Sequence, residues 1–551
     1  MAEKAVVKES FFKKWGTVFV LSLALAIIII DTTLLNVSLS TIIRDLNTDI
    51  QSIQWVITAY SLTIASLMIT GGRLGDLFGR KKMFIVGAVI FAAGSFIASI
   101  SANVPTMIAG ESIIEGIGAA LMMPATASLL VSRYKGRDRS IAFGIWGGVA
   151  AASTAIGPLL GGFFTTYYSW RWGFRINIVV ALLLILGSKV IKEYRDTDEA
   201  PSLDWVGVLL SATGMLATVY GIIESSTYGW WKAKVEYSVF GHAYHLAGYS
   251  ITPFAIGLGI ILLALFVIWE GHRDKTGRTP LVSLKLFKNR QFMAGVGTTS
   301  ILSLGQAGLI FSIPVFMQAV RGENAFQTGL ALLPLSITAL IMAPLGGFFS
   351  HKIAPKRLVQ VGLFSSFLGY VVLGQTFRVD ATPADFIPAL ILMGAGIGLT
   401  MASISNLTLS AVSPKQSGEA SGVNNTMRQV GGTLGTAIIG AVLISAISAN
   451  LIKGINDSKE IPAALKPLIT DKISSQTSNV EFEGGAKLPA SVPEAVGKNI
   501  GTIGKQAITD ANKEAIKYAS VFAFIGFLAA FSLPGGKNIE AEEDIAVRPK
   551  K

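Results

Sequence analysis

The chain has no cysteine and only four histidines among its 551 residues. Without cysteine there can be no disulfide, thiol nucleophile or cysteine-based metal centre. Charge is also scarce. Asp, Glu, Lys and Arg make up 15% of the residues, against about 25% in ordinary soluble domains. No GxxxxGK[ST] loop occurs, so ATP is not expected to drive this protein. What the chain has is apolar length: mean hydropathy is +0.57 and 51% of residues are hydrophobic. Runs of about 20 apolar residues recur, the length that crosses a hydrocarbon core. Alternating ten-residue segments, the mark of a membrane barrel, do not. The composition predicts an all-α polytopic protein, multi-pass in the cell (plasma or inner) membrane, whose first partner is the lipid bilayer.

The net charge of +12 would suggest nucleic acid in a soluble protein. Here the excess lies in short loops on one side, so no nucleic-acid partner is expected. Fourteen candidate spans can be drawn, beginning with 15–38, which is too long for a signal-peptide core. Seven short segments that an N-in orientation places inside hold 25 Lys and Arg, and the short outer loops hold six. That asymmetry predicts both termini inside. Two connections are long. Residues 224–250 are rich in Trp and Tyr and suit an interfacial belt. Residues 449–515 read as a polar outer loop with short helices near 494–515.

The sequence echoes itself at a shift of 275. Gly71–Gly72 falls on Gly346–Gly347, Lys81–Lys82 on Lys356–Arg357, and Asp76 on His351. Two related six-helix halves with two helices inserted between them would explain this. The expected domains are an N-terminal half (1–195), a two-helix insert (196–272) and a C-terminal half (273–551) with the outer loop 449–515. Secondary transporters are built from such repeats, with sites between the halves near mid-membrane.

Residues 71–83 read GGRLGDLFGRKKM and join two apolar segments. In a loop this short, Asp76 can accept from helix-end amides, while Arg73, Arg80 and Lys81 can pair with it or with lipid headgroups. A plain positive-inside turn is the simpler alternative. GGRLGDLFGRKK resembles the loop 2–3 signature of the major facilitator superfamily, carried here by Gly72, Arg73, Gly75, Asp76, Gly79, Arg80 and Lys81. In span five, Gly157, Pro158, Gly161 and Gly162 resemble the GP-x-x-GG antiporter signature of that family's exporters. Proline removes a helix hydrogen bond and the glycines allow close approach; ordinary small-residue packing is the alternative. In span one, Asp31-Thr32-Thr33 and Asn36 resemble the motif of the fourteen-helix drug:proton antiporters. The stretches 169–177 and 425–432 and the two-helix insert point to the same branch. The resemblance implies the major facilitator fold with six, two and six helices, alternating access, and proton-driven export of small amphipathic compounds.

The intramembrane acids carry the chemistry. A carboxylate within lipid is a functional candidate by default. Asp31 lies roughly 24 Å along its helix from the inner side, or else faces water near the outer helix end. Span four holds Glu111, where the family usually has arginine, and Glu115 one turn later on the same face. They lie about 9 Å and 15 Å from the outer end. Two such carboxylates resist double ionisation, which suits a proton carrier. Arg175, starting span six on the outer side, could serve as counter-charge to Glu111; a static Glu111–Arg175 pair is the alternative. Asn36, Gln306, Asn406 and Arg428 are further cavity candidates. No catalytic residue, metal site or cofactor is expected, only the proton gradient and a small-molecule substrate, with a monomer as the working unit. Acids without a clear mid-membrane cation favour lipophilic cations as substrates, while Arg175 and Arg428 could instead favour anions. Export of an endogenous lipid, cell-wall precursor or metabolite, uptake by proton symport, and a non-transporting scaffold or sensor stay open as alternatives.

Overall fold

The computed structural model describes residues 11–48, 50–194, 203–239, 242–244, 246–350, 352–463, 465–467, 469–470 and 494–534, with a few side chains inside these ranges left out. The first helices are α1 (Phe11–Asp45), α2 (Ile50–Phe78), α3 (Arg80–Ser99), α4 (Val104–Arg133), α5 (Gly136–Tyr167) and α6 (Arg171–Gly187). Two more follow, α7 (Trp205–Tyr228) and α8 (Ile251–Lys275). The rest are α9 (Arg290–Val315), α10 (Ala325–Ala331 and Leu333–Phe349), α11 (Pro355–Thr376), α12 (Ile387–Ser410), α13 (Ser417–Asp457) and α14 (Glu494–Ala529). Among the described residues twelve helices are long and apolar enough to cross a membrane, or up to thirteen when bent helix α5 counts as one span. The protein is a multi-pass helical membrane protein.

The buried apolar side chains gather mainly in two large clusters. One cluster runs through α9 to α14, with Phe316, Phe377 and Phe386 at its centre. The other lies mainly in α1 to α6 and crosses to the rest of the chain, taking in Leu281, Val282 and Leu286 from the segment before α9, Phe292 and Val296 of α9, Leu409 of α12, and Ala420 and Val423 of α13. Glycine lets these helices touch. A side chain at Gly94 of α3 would collide with the backbone of Glu115 in α4, and one at Gly118 with that of Phe91.

Helices α7 and α8 pack on each other, Gly259 against Thr218 and Gly221 against Ile256. Their inner ends are clamped. The Asp204 carboxylate accepts from the Gly207 amide at 3.0 Å and from Trp269 Nε1, and pairs with Arg273 at 3.2 Å. The outer face of α7 meets both halves: Val219 is buried with Leu62 and Ala65 of α2, and Tyr220 and Ile223 pack there with Val430 of α13.

Two expectations need correction. Residues 224–250 are not only a belt. They form a hairpin, β1 (Tyr237–Val239) antiparallel to β2 (His242–Tyr244), with Tyr237 opposite Tyr244. Nor is 449–515 mainly loop. Helix α13 runs on through Asp457 and α14 begins at Glu494. At 1.5 Å per residue the 41 residues of α13 extend about 60 Å, twice a hydrocarbon core of about 30 Å. Its tail and the start of α14 pair outside the bilayer, where Ser458 donates to Asn499 at 3.1 Å. Hydropathy ends a span where the lipid ends, but a polar helix can continue in water. Residues 471–493 of that connection lie outside the described residues.

Candidate functional site

Three acids meet in the N-terminal half. Asp31 of α1 and Glu111 and Glu115 of α4 are all buried, and one oxygen from each lies within 4.8 Å of the others. The segment Ile108–Glu115 winds as a π-helix, a local widening often found at functional sites. It turns both glutamates inward. Asn177 of α6 bridges the group: its Nδ2 donates to Asp31 Oδ1 at 2.7 Å and to Glu115 Oε1 at 3.0 Å. Tyr60 of α2 adjoins Asp31, and Ser95 of α3 adjoins Glu115. Both Glu111 oxygens, Asp31 Oδ2, Glu115 Oε2 and the Tyr60 hydroxyl are buried without a hydrogen-bond partner among the described residues. Three negative charges so close in a low-dielectric interior repel strongly. The geometry suits a group that takes up and gives up positive charge.

Nothing in the sequence singles out Tyr60 or Ser95, and Asn177 is marked only as the last residue of the stretch 169–177. Asn177 shares the buried stripe of α6 with Gly173, Phe174, Ala181 and Leu184, a helical spacing that marks it as inward-facing. Arg175 sits two positions away, on the opposite side. It is exposed, with its guanidinium 5.1 Å from the Trp172 ring. The expected Glu111–Arg175 pair is therefore absent, because residues two apart on a helix do not share a face.

Helix α5 sets the position of Asp31. It bends by 41° between Thr154 and Ile156, where Pro158 removes the hydrogen bond to the preceding turn. A side chain at Gly157 would collide with Thr33 and the Ile30 carbonyl, and one at Gly161 would crowd Leu34. Gly162 is buried. The glycine face thus grips α1 on both sides of Asp31 along the chain.

The loop 2–3 residues build a latch at the basic, inner end. Asp76 Oδ1 accepts from Arg80 Nε at 3.0 Å and Nη2 at 2.8 Å, in a buried pair. Its Oδ2 accepts from the Glu419 amide at 3.0 Å, in the first turn of α13. An acid at a helix N-terminus meets both free amides and the positive end of the dipole. Arg80 also donates to Ser132 Oγ and to the Pro414 carbonyl, tying α3, α4 and the segment before α13 together. A side chain at Gly72 would collide with the Gly418 carbonyl. Gly79 has φ +106°, where a side chain would also strike Glu193. Glu193 accepts from the Lys81 and Lys82 amides at 3.0 Å each and so caps α3. Gly75 is in ordinary contact with Arg80, and Arg73 lies beside Glu419 with no partner for its Nη2 among the described residues.

The other cavity candidates scatter. Asn406 of α12 donates to Ser140 Oγ at 3.0 Å and accepts from Arg139 Nε at 3.1 Å. It is a second inner contact between the halves rather than a cavity residue, because it lies in the last turn of α12. Arg428 of α13 contacts Met123 Sδ of α4 at 3.7 Å, across the halves. Gln306 is half-buried in α9. The side chains of Asn36 and His351 lie outside the described residues.

Residues 21–436 match the family profile described as Major Facilitator Superfamily. The chain is similar to puromycin resistance protein pur8 of Streptomyces alboniger, with 30% identity over 87% of this chain and 90% of the relative. It is also similar to the multidrug efflux pump LfrA of Mycolicibacterium smegmatis, with 27% identity over 88% and 89% of the two chains. A third relative is multidrug resistance protein Stp of Mycobacterium tuberculosis, with 26% identity over 86% and 83%. Among solved structures, the human organic anion transporter MFSD10 (TETRAN) superimposes with TM-score 0.56 at 12% identity, covering 94% of this chain and 99% of that one. The proton:xylose symporter XylE does so with TM-score 0.55 at 13% identity, covering 96% and 98%. These two share the fold.

Proposed function

The chain belongs to the major facilitator superfamily, and from that premise we propose that it is a secondary exporter of small amphipathic compounds, lipophilic cations first, driven by proton antiport. The observation that carries the reading is the cluster of Asp31, Glu111 and Glu115, buried together with no basic side chain paired to them among the described residues. Relatives named for drug resistance and efflux support the exporting direction.

In this reading the two halves rock about a site between them. With the inner latch closed, protons reach the triad from outside and neutralise it. A cationic substrate then loses its counter-charge and leaves outward. When the latch opens, protons depart inward and the recharged acids draw the next cation from the inner leaflet. Asn177 holds Asp31 and Glu115 together, so charge on one is felt by the other. Arg290–Val315 supplies the remaining span of a fourteen-helix protein, and one chain is the working unit. No cofactor takes part beyond the proton gradient.

Everted vesicles test this. Glu115→Gln should abolish the substrate-dependent collapse of an imposed pH gradient while the protein still reaches the membrane. Coupling that persists unchanged in this variant overturns the assignment.

A further inference from the structure

Glu224 lies in the last turns of α7, near the outer end, and is only 7% exposed. Among the described residues no cation pairs with it. Tyr220 and Tyr228 stand four residues before and after it, so all three side chains share one face. Tyr237 of the hairpin closes over them. Its ring meets that of Tyr228 edge-on at 5.4 Å, and its hydroxyl is 3.4 Å from that of Tyr220. Trp55 of α2 stacks on Tyr220 at 5.8 Å. The rings are half-buried or exposed while the acid beneath them is buried. Just inward, Tyr220 and Ile223 pack with Leu62 and Ala65 of α2 and Val430 of α13. The cluster therefore stands where the inserted pair covers the seam between the two halves.

We propose that Glu224 with Trp55, Tyr220, Tyr228 and Tyr237 forms a second binding site, at the outer end of the seam, for bulky quaternary or aryl-substituted organic cations. The chemistry fits that class. Aromatic faces attract a diffuse cation that is too weakly hydrated to demand oxygen ligands. A buried carboxylate supplies the opposite charge and would repel an anion. The site is distinct from the Asp31–Glu111–Glu115 group, because it draws on α7 and the hairpin, which contribute nothing to that group. The inserted helices thereby gain a role, which is to hold a cation at the outer leaflet beside the line along which the halves separate.

The test uses the full chain in nanodiscs, titrated with tetraphenylphosphonium and, as an equally bulky anion, tetraphenylborate. The signal is Trp55 fluorescence, isolated as the difference between wild type and Trp55→Phe. The cation should shift this signal saturably, and the anion should not. Glu224→Gln should weaken the cation about tenfold, and Tyr228→Leu should weaken it similarly, while Glu115→Gln leaves the Trp55 titration in place. Equal binding by Glu224→Gln and wild type overturns the proposal. So does a saturable Trp55 signal with tetraphenylborate, which marks a merely apolar groove. If Tyr228→Leu fails to assemble, Glu224→Gln, which conserves shape, decides alone. The readout is binding, so a failure of proton-coupled export with an intact Trp55 titration would count against the central reading only.

Discussion

The two halves share a fold but divide the charge unequally. In the N-terminal half the inner latch is a buried Asp76–Arg80 pair capping α13. At the matching place in the other half, Gly347 of α10 presses on the Ser140 carbonyl of α5, just as Gly72 of α2 presses on that of Gly418. That second contact is held by packing, the neutral Asn406–Ser140 bond and Arg139. The centre repeats the contrast. The 275-residue shift carries Asp31 to Gln306, Glu111 to Phe386 and Glu115 to Leu390. One half holds acids at both levels, and the other has none at the matching central positions, where Arg428 is the charge it turns toward α4. A charge inside lipid is costly, so placing the acids in one body lets a single protonation event change how the two bodies attract.

The largest effect expected is at the centre. Asp31→Asn should remove proton-coupled export, and adding Gln306→Asp should not restore it, because the positions matching Glu111 and Glu115 there are Phe386 and Leu390. Rescue by the double variant, read as dye efflux from everted vesicles, would erase the contrast. Raising the outside pH at fixed inside pH should slow wild-type export, since protons enter from outside, and a protonophore should abolish this dependence.

Next comes the charged latch. Asp76→Asn leaves Arg80 buried without its partner, a loss of about 3–5 kcal/mol in pairs of this kind. The chain lacks cysteine, so Ser417→Cys can be introduced alone. Ser417 is buried at the latch, and inside-applied maleimide should label it faster once Asp76 is neutralised. Unchanged labelling would mean that the ion pair does not hold the inner end shut.

Gly347→Ala should cost less, about 1–3 kcal/mol of overpacking, and slow export without changing its pH dependence. A larger defect than that of Asp76→Asn would reverse the order of the two latches. Asn406→Ala removes a neutral hydrogen bond to Ser140 worth about 1 kcal/mol and one from the Arg139 guanidinium worth about 1.5–3 kcal/mol, and should lower efflux only a few-fold. Arg175→Ala should change efflux least, because its side chain lies over Trp172 on the outer face of α6. A strong defect there would restore a role at the triad.

The latch shows how far spacing can be read. Asp76, Arg80 and the glycines are legible because their roles follow from a short turn between two spans. The helix end that Asp76 caps is not, since Glu419 is 343 residues away and no local pattern couples them. The acids are likewise visible as charges in apolar helices. Their partner is not, because Arg175 and Asn177 are neighbours in sequence but point to opposite sides of α6, and charge alone favours the arginine. Hydropathy also cuts α13 and α14 short, because it measures contact with lipid rather than helicity.

From the order of residues alone came the membrane class, the helical multi-pass fold and the acids themselves, because apolar run length and isolated carboxylates are local properties of a chain in a bilayer. The gathering of Asp31, Glu111 and Glu115 around one asparagine came from folding, as did the capping of α13 by a distant loop and the seating of α7 against the seam. Each of these depends on which helix faces touch, and that is settled by glycine contacts and packing between segments far apart in the chain.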